Sequence, residues 1–489
     1  MQKLSVLLLL AILLTSCTIC AIEESPTHQD TTSAPSAEGS ETAIGSAYNP
    51  LNDVISTLLP DGTNHWPTYT WVHDSPSNNG FLLHYESTDE EAIGLDMLTH
   101  TLNQGMKQND QYGSIIIAKG GKIIYENYNG YYNHPTYQQP VASIGKSIVS
   151  AVIGIAIDEG LISSVDAKVL DFFPDWEIEN RDERKEAMTI AHVLSMQSGL
   201  SFPEDNSIPL MNNSENPVHE LLNAKMNSEP GTRFNYLSVS TSILCNIIAR
   251  VSGKTFTEYT YEKLFDPIGI TSAYWRLDPA GIEQGGSSLR MSARDMLNFG
   301  YLFLKKGVWD GRQIISEEWI EYSTKKQTDI EKHNIEKSKL PGIMNSYASH
   351  WWCIDEGSRM SYYADEERAV KLPSFQSVIV FDSSAMDDDD PNNDVKYMRT
   401  PFREPLEEGD VYRATGFAGQ YIYVCSKYDM VVVMTNTHVN EVMGDTGNYV
   451  FFEMILPLLC EESELVEIEL VVDGDTMRFV DKVKNSRTT

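Results

Sequence analysis

The sequence predicts an α/β protein of the α+β type, with one antiparallel β-sheet built from the N- and C-terminal parts of the chain. Residues 114–125 and 420–435 each contain two runs rich in β-branched residues joined by a turn, which is the pattern of a β-hairpin. Residues 143–304, between the hairpins, carry mainly helical patterns. Strands at both ends with helices between them favour a sheet flanked by helices, with a mainly helical lobe inserted and a site between the lobes.

Each predicted element has its own signal. Gly120-Gly121 marks the turn of the first hairpin. Apolar residues at near-helical spacing predict an amphipathic helix over residues 92–107 and an apolar helix over residues 448–459. Residues 355–410 are polar and acidic and interrupt these patterns, so we expect a surface insertion there.

Composition narrows the class of protein. The chain has 489 residues with a hydrophobic content of 41%, typical of a globular protein. Its 70 Asp and Glu residues outnumber 37 Lys and Arg residues, and the net charge of −33 disfavours nucleic acid as a partner. The cysteines beyond the N-terminal segment lack the spacing of a zinc site, and a single disulfide stays open: Cys245, Cys353, Cys425 and Cys460.

The N-terminus predicts export. Lys3 precedes an apolar run over residues 4–14, which is too short for a mature membrane span. Leu14-Thr-Ser-Cys17 resembles a bacterial lipobox, in which Cys17 would carry the lipid and provide the only membrane contact. The alternative is an ordinary signal cleaved near Cys20, but we favour a cell-envelope lipoprotein over a freely secreted protein.

These signals divide the chain into five segments. The composition of residues 21–48, rich in Ser, Thr, Glu and Pro, is typical of a flexible tether. The predicted order is an export signal at 1–20, a tether at 21–48, an N-terminal extension at 49–91, a main domain at 92–460 that contains the insertion at about 355–410, and a tail at 461–489.

A serine and a lysine three residues apart form the strongest chemical signal. Ser143-Ile-Gly-Lys146 stands where an apolar helix begins, so the hydroxyl and the amine share one helix face. The helix dipole favours negative charge there, and Lys146 can serve as a general base. Spacing alone is weak evidence, because Ser323-Thr-Lys-Lys326 matches the same pattern.

Two further motifs follow Ser143 in the chain. Tyr236-Leu-Ser238 precedes an apolar helix, and a phenol there can relay a proton. Ala414-Thr-Gly416-Phe417 leads into a strand, and its glycine allows close approach to the backbone. Backbone amides there and at Ser143 would form an oxyanion hole.

With these three motifs in this order, the chain resembles the superfamily of serine β-lactamases, penicillin-binding proteins and esterases, most closely its class C-like hydrolase branch. The resemblance implies that Ser143 is the nucleophile, Lys146 its base and Tyr236 a second acid/base, and that the backbone of Phe417 is the second oxyanion donor. It covers about residues 92–459 and includes four further segments: 188–200, 264–269, 290–295 and 307–311.

Three departures from the family pattern bear on the substrate. Ser238 stands where the β-lactamases usually carry Asn, Ala414 where they carry Lys or His, and Met196 where the branch commonly carries His. Without a cation at position 414, the carboxylate of a β-lactam or peptide loses a partner, so esters or amides are favoured. This pattern is similar to that of esterases and 6-aminohexanoate-dimer hydrolases.

The sequence therefore predicts a serine hydrolase that cleaves ester or amide bonds of a small substrate, without a metal or organic cofactor, acting as a monomer. Two alternatives stay open: a D-amino peptidase or β-lactamase that acts on cell-wall peptides or β-lactams, and an inactive cell-surface binding protein. The predicted substrate pocket comprises Ser238, Ala414, Gly416, Trp351 and Trp352.

Overall fold

The structure is a computed structural model. It divides the chain into two compact units, Met1–Gly62 and Thr63–Thr489, and the described residues all lie in the second. The predicted export signal, Cys17, the tether and the helix over residues 92–107 lie outside the described residues. Those described are 81–82, 113–128, 135, 137–330, 346–353, 379–382, 396–399, 406–436, 450–459, 465–473 and 476–481.

A large antiparallel sheet forms the centre of the fold. The strands of the described residues are β1 Phe81–Leu82, β2 Ser114–Lys119, β3 Lys122–Tyr128, β4 Gln139–Ala142, β5 Leu289–Met291, β6 Val308–Trp309, β7 Arg312–Gln313, β8 Thr328–Asp329, β9 Ser346–Tyr347, β10 Trp352–Cys353, β11 Ile379–Asp382, β12 Lys396–Arg399, β13 Val411–Gly416, β14 Gln420–Cys425, β15 Met430–Thr435, β16 Leu465–Asp473 and β17 Thr476–Asp481. The strand order of the large sheet is β1-β3-β2-β15-β14-β13-β10-β9-β8.

Helices form most of the regular secondary structure between β4 and β8. The α-helices are α1 Ile144–Asp158, α2 Glu183–Glu186, α3 Ile190–Leu194, α4 Ser207–Asn213, α5 Pro217–Asn223, α6 Thr241–Ser252, α7 Phe256–Thr260, α8 Asp266–Ile268, α9 Ala293–Leu304, α10 Glu317–Thr324 and α11 Leu456–Leu459. Short 3₁₀ turns and π-helical turns complete the set: Val169–Phe172, Glu204–Asn206, Ser238–Ser240, Tyr261–Phe265, Ser426–Tyr428 and Val450–Ile455.

The two predicted hairpins meet at the centre of the sheet. Strands β2 and β3 form the first hairpin, and β14 and β15 form the second. Strand β15 pairs antiparallel with β2, from Thr435 opposite Ser114 to Met430 opposite Lys119. The prediction of one antiparallel sheet built from both ends of the chain and flanked by helices is confirmed.

Helix α1 lies in the core between the sheet and the helical lobe. It contacts α6 in the lobe and β13 and β14 in the sheet. Its residues from Ile144 to Ala156 are buried. Full burial of a side chain such as Ile148 or Val152, both 0% exposed, stabilises the fold by about 1.5–3 kcal/mol. The first turn of α1 is therefore held in a fixed position.

The acidic insertion and the C-terminal tail contain strands that the sequence analysis did not predict. Strands β11 and β12 of the insertion join β16 and β17 of the tail in a four-stranded antiparallel sheet. The strand partners are far apart in the chain, so no local pattern connected them. The predicted insertion and the predicted tail thus both contribute strands to one sheet.

The cysteines within the described residues behave as buried apolar groups. Cys245 and Cys425 are both 0% exposed and form no disulfide. Burial raises the pKa of both thiols, to about 12 for Cys425. A search of the described residues finds no helix that is both long and apolar enough to cross a membrane.

Candidate active site

The first turn of α1 carries the predicted nucleophile. Ser143 is the N-cap of α1, and Ala142 before it has a φ of +49°, in the left-handed region that side-chain-bearing residues rarely occupy. Such backbone conformations cost about 1–3 kcal/mol and persist where surrounding packing imposes them. The hydroxyl of Ser143 therefore stands at the positive end of a buried helix, in a backbone turn that the core holds in place.

Lys146 lies one helical turn after Ser143 and is buried, with 1% of its surface exposed. Its Nζ donates to Ser143 Oγ at 2.9 Å, to Ser238 Oγ at 3.0 Å and to the backbone oxygen of Gly286 at 2.5 Å. An ammonium group has three N–H donors, and each finds an acceptor here. The arrangement satisfies a buried, protonated lysine in contact with the predicted nucleophile.

Gly286 brings a carbonyl into the site that the sequence analysis missed. A Cβ at this position would lie 2.2 Å from the backbone oxygen of Ser238, so a side chain cannot fit. Because Gly286 has no side chain, its backbone packs directly against the turn at Ser238. Its backbone oxygen then accepts a hydrogen bond from Lys146. The Gly285-Gly286 pair in the sequence was the available signal.

Glu204 is a second residue that the sequence analysis missed. Its Oε1 accepts a hydrogen bond from Ser238 Oγ at 2.5 Å, and its Oε2 accepts one from Ser238 N at 2.6 Å. Ser238 is therefore in contact with both Lys146 and a carboxylate. No local pattern marks Glu204, because the contact joins two turns that are 34 residues apart.

Tyr236 covers Lys146 with the face of its ring. The Lys146 Nζ lies 4.7 Å from the ring centroid, a cation–π geometry. The ring stacks on Trp352 at 6.1 Å and meets Tyr347 edge-on at 6.3 Å. Within the part of the chain that the structure describes, no hydrogen bond to the Tyr236 hydroxyl is found.

The end of β13 lies beside the start of α1. A Cβ on Gly416 would lie 2.1 Å from the backbone oxygen of Val141, so only glycine permits this approach. Phe417, the next residue, is 53% exposed. Phe417, the predicted second oxyanion donor, therefore directly follows Gly416, the residue of β13 that contacts Val141 just before Ser143.

A family model described as beta-lactamase matches residues 98–450. The chain belongs to the β-lactamase family of serine hydrolases.

Among its relatives is the 6-aminohexanoate-dimer hydrolase of Paenarthrobacter ureafaciens, which is 26% identical over 300 residues and covers 56% of this chain and 73% of the relative. A family VIII carboxylesterase shares the fold, with a TM-score of 0.52 at 17% identity over 76% of this chain and 98% of that one. So does the octameric penicillin-binding protein homologue of Pyrococcus abyssi, with a TM-score of 0.51 at 18% identity over 80% and 88% of the two chains.

The pocket predictions for this β-lactamase-family protein divide into two groups. Trp352 lies against Tyr236 at the site. Trp351 does not: it is 0% exposed and packs on Phe303 and Tyr412 in the core, so its prediction as a pocket residue is corrected. The two tryptophans are neighbours in an extended segment, where successive side chains point to opposite faces.

Ala414 is also fully buried, at 0% exposed, and belongs to the hydrophobic core that includes Ile144 of α1. Its methyl group thus adds no exposed surface to a pocket, which corrects the prediction that its side chain lines one. The argument about substrate charge is unchanged, because position 414 carries no cation that could pair with a substrate carboxylate.

Met196 and His350 contact the backbone of the residues that form the site. Met196 Sδ accepts a hydrogen bond from Leu237 N at 3.4 Å, inside the turn that carries Tyr236 and Ser238. His350 is 2% exposed and its Nδ1 lies 3.0 Å from the backbone oxygen of Lys146. Burial, followed by the charge of Lys146, lowers the pKa of His350 to about 3, so the imidazole is neutral and Nδ1 donates.

Proposed function

We propose that this protein cleaves ester or amide bonds of a small substrate by two-step acyl transfer through an acyl-enzyme on Ser143. One observation carries the proposal: Lys146 Nζ lies 2.9 Å from Ser143 Oγ at the start of a buried helix. A base within hydrogen-bond reach of a serine hydroxyl is the arrangement that activates a serine nucleophile. The membership of the chain in a family of serine hydrolases supports the same chemistry.

Acylation begins when neutral Lys146 accepts the proton of Ser143. The Ser143 oxygen forms a bond to the carbonyl carbon, and the π-electron pair of the carbonyl moves onto its oxygen. We assign the stabilisation of this oxyanion to the backbone amides of Ser143 and Phe417, assisted by the dipole of α1. The exposed position of Phe417, just beyond the close approach of Gly416 to Val141, supports this assignment.

The tetrahedral intermediate then collapses. The oxyanion pair returns to the carbonyl, the bond to the leaving group breaks, and the leaving group receives the proton. We propose that this proton comes from Lys146 directly or through the hydroxyl of Tyr236, whose ring lies over the Lys146 amine. Water then attacks the acyl carbon by the same steps, releases the acid and restores Ser143.

We further propose that the substrate is an ester or amide without a carboxylate next to the scissile bond. The position where β-lactamases carry a cation is Ala414, buried in the core, so a substrate carboxylate has no partner there. The exposed ring of Phe417 and the half-buried ring of Tyr236, which stacks on the buried Trp352, provide aromatic surface. The similarity of the chain to a 6-aminohexanoate-dimer hydrolase and to a carboxylesterase agrees with this substrate class.

The test compares three substrates with purified protein: a short-chain nitrophenyl ester, a 6-aminohexanoate dimer and a D-Ala-D-Ala peptide. We expect turnover of the ester or the dimer to exceed that of the peptide, and Ser143→Ala to abolish it. Preferred turnover of the peptide would instead establish a D-amino peptidase. No turnover of any substrate, together with no fluorophosphonate adduct on folded protein, would establish a binding protein and contradict the proposal.

A further inference from the structure

Glu204 holds Ser238 with its whole carboxylate. It begins the 3₁₀ turn Glu204–Asn206, and its two oxygens accept from the Ser238 hydroxyl at 2.5 Å and from the Ser238 backbone N at 2.6 Å. Ser207 Oγ also donates to its Oε2, at 2.8 Å. These contacts fix the carboxylate, so its position relative to Ser238 follows from the fold.

The hydrogen bonds of this group run in one direction. Ser238 has one hydroxyl proton, and a carboxylate can only accept, so Ser238 donates to Glu204. The lone pairs of Ser238 Oγ are then free to accept, and Lys146 Nζ donates to them at 3.0 Å. An oriented path of two hydrogen bonds therefore leads from the Lys146 amine to the Glu204 carboxylate.

This path addresses a requirement of the proposed mechanism. A lysine whose N–H groups all have acceptors is held as an ammonium ion, yet it needs a free lone pair to accept the Ser143 proton. One proton has to leave Lys146 before acylation. The carboxylate at the end of the path is a group that can take it.

We propose that Glu204 is a positioning residue that orients Ser238 and receives, through the Ser238 hydroxyl, the proton that Lys146 releases before it activates Ser143. The proposal rests on the acyl-transfer function above. One proton moves from Lys146 Nζ to Ser238 Oγ as the Ser238 proton moves to Glu204 Oε1. The result is a neutral lysine and a protonated glutamic acid, with no change in the total charge of the site.

The pH dependence of activity follows from this proton count. With Glu204 present, the active form is an internal rearrangement of the Lys146 ammonium and Glu204 carboxylate pair, so no proton has to leave the site. Without the carboxylate, the active form requires Lys146 to lose its proton to solvent. The acidic limb of the pH–rate profile then moves to higher pH.

Two other titratable side chains near this path, Tyr347 and His350, stay neutral at the pH values of the experiment. The ring of Tyr236 covers Lys146, and Tyr347 lies against Tyr236. Burial raises the pKa of Tyr347 well above its usual value. Burial lowers that of His350, behind Lys146, to about 3. A shift of the acidic limb therefore reports on the Lys146 and Glu204 pair and not on Tyr347 or His350.

The experiment measures kcat/KM for ester hydrolysis from pH 5 to pH 10 in the wild type, Glu204→Gln, Glu204→Asp and the control Asp205→Asn. The amide of Gln donates to Ser238 and reverses the direction of the path. We expect Glu204→Gln to lose about 100-fold at pH 7 and to recover to within about tenfold of wild type at pH 10. Asp205 is an exposed neighbour, so Asp205→Asn removes the same charge and leaves the profile within about twofold.

Glu204→Asp keeps a carboxylate, so its acidic limb stays at the wild-type position even if its rate is lower. The proposal would be overturned if Glu204→Gln lowered kcat/KM by the same factor at every pH. It would also be overturned if the acidic limb of Glu204→Asp moved to higher pH as far as that of Glu204→Gln. The failure of the proposed function gives a different result, because the wild type itself then shows no turnover that depends on Ser143.

Discussion

Two matches to the same four-residue pattern have opposite structural roles. Ser143 caps the start of α1, and Lys146 is inside the helix, with its amine 2.9 Å from the serine oxygen. Ser323 lies near the end of α10, is 0% exposed, and donates to the backbone oxygen of Ile320. Lys326 follows the end of α10, and no hydrogen bond joins it to Ser323 among the described residues. Spacing produces a reactive pair only where one helix turn carries both residues.

One turn connects the two regions. Ser349 N donates to the backbone oxygen of Ser323, and His350 Nδ1 bonds to that of Lys146. The backbone oxygen of His350 accepts from Ser147 Oγ at 2.7 Å. Ser323 therefore has a structural role: its backbone holds the turn at Ser349 and His350, and that turn in turn contacts Lys146 and Ser147 in α1. The following predictions test this division between a chemical pair and a structural one.

The largest expected difference concerns the two serines. Ser143→Ala removes the proposed nucleophile, and kcat/KM for ester hydrolysis should fall by a factor on the order of 10⁴ or more. Ser323→Ala is the matched control. The backbone oxygen of Ile320 keeps its bond from Thr324 Oγ1, so we expect a loss of less than about 1 kcal/mol of stability and unchanged kcat/KM. An equal loss of kcat/KM in the two variants would contradict the assignment of a chemical role to Ser143 and a structural role to Ser323.

The two lysines should differ almost as much. Lys146→Met removes the proposed base while retaining an unbranched side chain, and we expect kcat/KM to fall about 10³-fold. Lys326→Met should stay within about twofold of wild type, because Lys326 lies beyond the helix. Steady-state kinetics with the ester measure both. A Lys146→Met enzyme with wild-type kcat/KM would exclude Lys146 as the base.

His350 makes the shared turn sensitive to acid. Its pKa is about 3 in the folded protein, below the value of about 6.5 in an unfolded chain. Unfolded protein thus binds a proton that the folded protein refuses, so the stability from this residue is present above pH 6.5 and is lost as pH falls towards 3. The loss is about 1.4 kcal/mol per pH unit, or about 3 kcal/mol at pH 4.

His350→Asn is the variant that isolates this effect, because Asn tolerates the φ of +62° and can donate to the same carbonyl. Denaturant unfolding at pH 7 and pH 4 measures it. The wild type should lose more stability between the two pH values than the variant. The same loss in both proteins would show that His350 is not the group that titrates.

Gly416→Ala should have a moderate effect on stability and a local effect on activity. Gly416→Ala places a Cβ against the Val141 carbonyl, and we expect it to cost about 1–3 kcal/mol and to lower kcat/KM by displacing Phe417. Gly409→Ala is the control, since Gly409 has a φ of +91° with nothing within 4 Å of an added Cβ. It should lower stability through backbone strain and leave kcat/KM unchanged. Loss of activity in both variants would point to a general structural effect.

Local patterns predicted the local parts of this molecule. The hairpins and α1 were predictable because turn residues and apolar periodicity lie within each element, and the joining of the hairpins followed from packing rules. The site contacts of Glu204, Gly286 and His350 were not predictable, even though the Gly285-Gly286 pair marked a place of close backbone approach. Their contacts with Ser238 and Lys146 span 34, 140 and 204 residues, respectively, and no spacing rule reaches that far. The second sheet was missed for the same reason.

The most direct test of the central claim is the location of the serine that reacts covalently with a serine-directed reagent. A slowly hydrolysed fluorophosphonate is allowed to react with the wild-type protein, and tandem mass spectrometry of the digested protein identifies the modified residue. We predict one adduct, on Ser143, that is absent in Ser143→Ala and retained in Ser323→Ala. An adduct that persists in Ser143→Ala, or that maps to another serine in the wild type, would contradict the account.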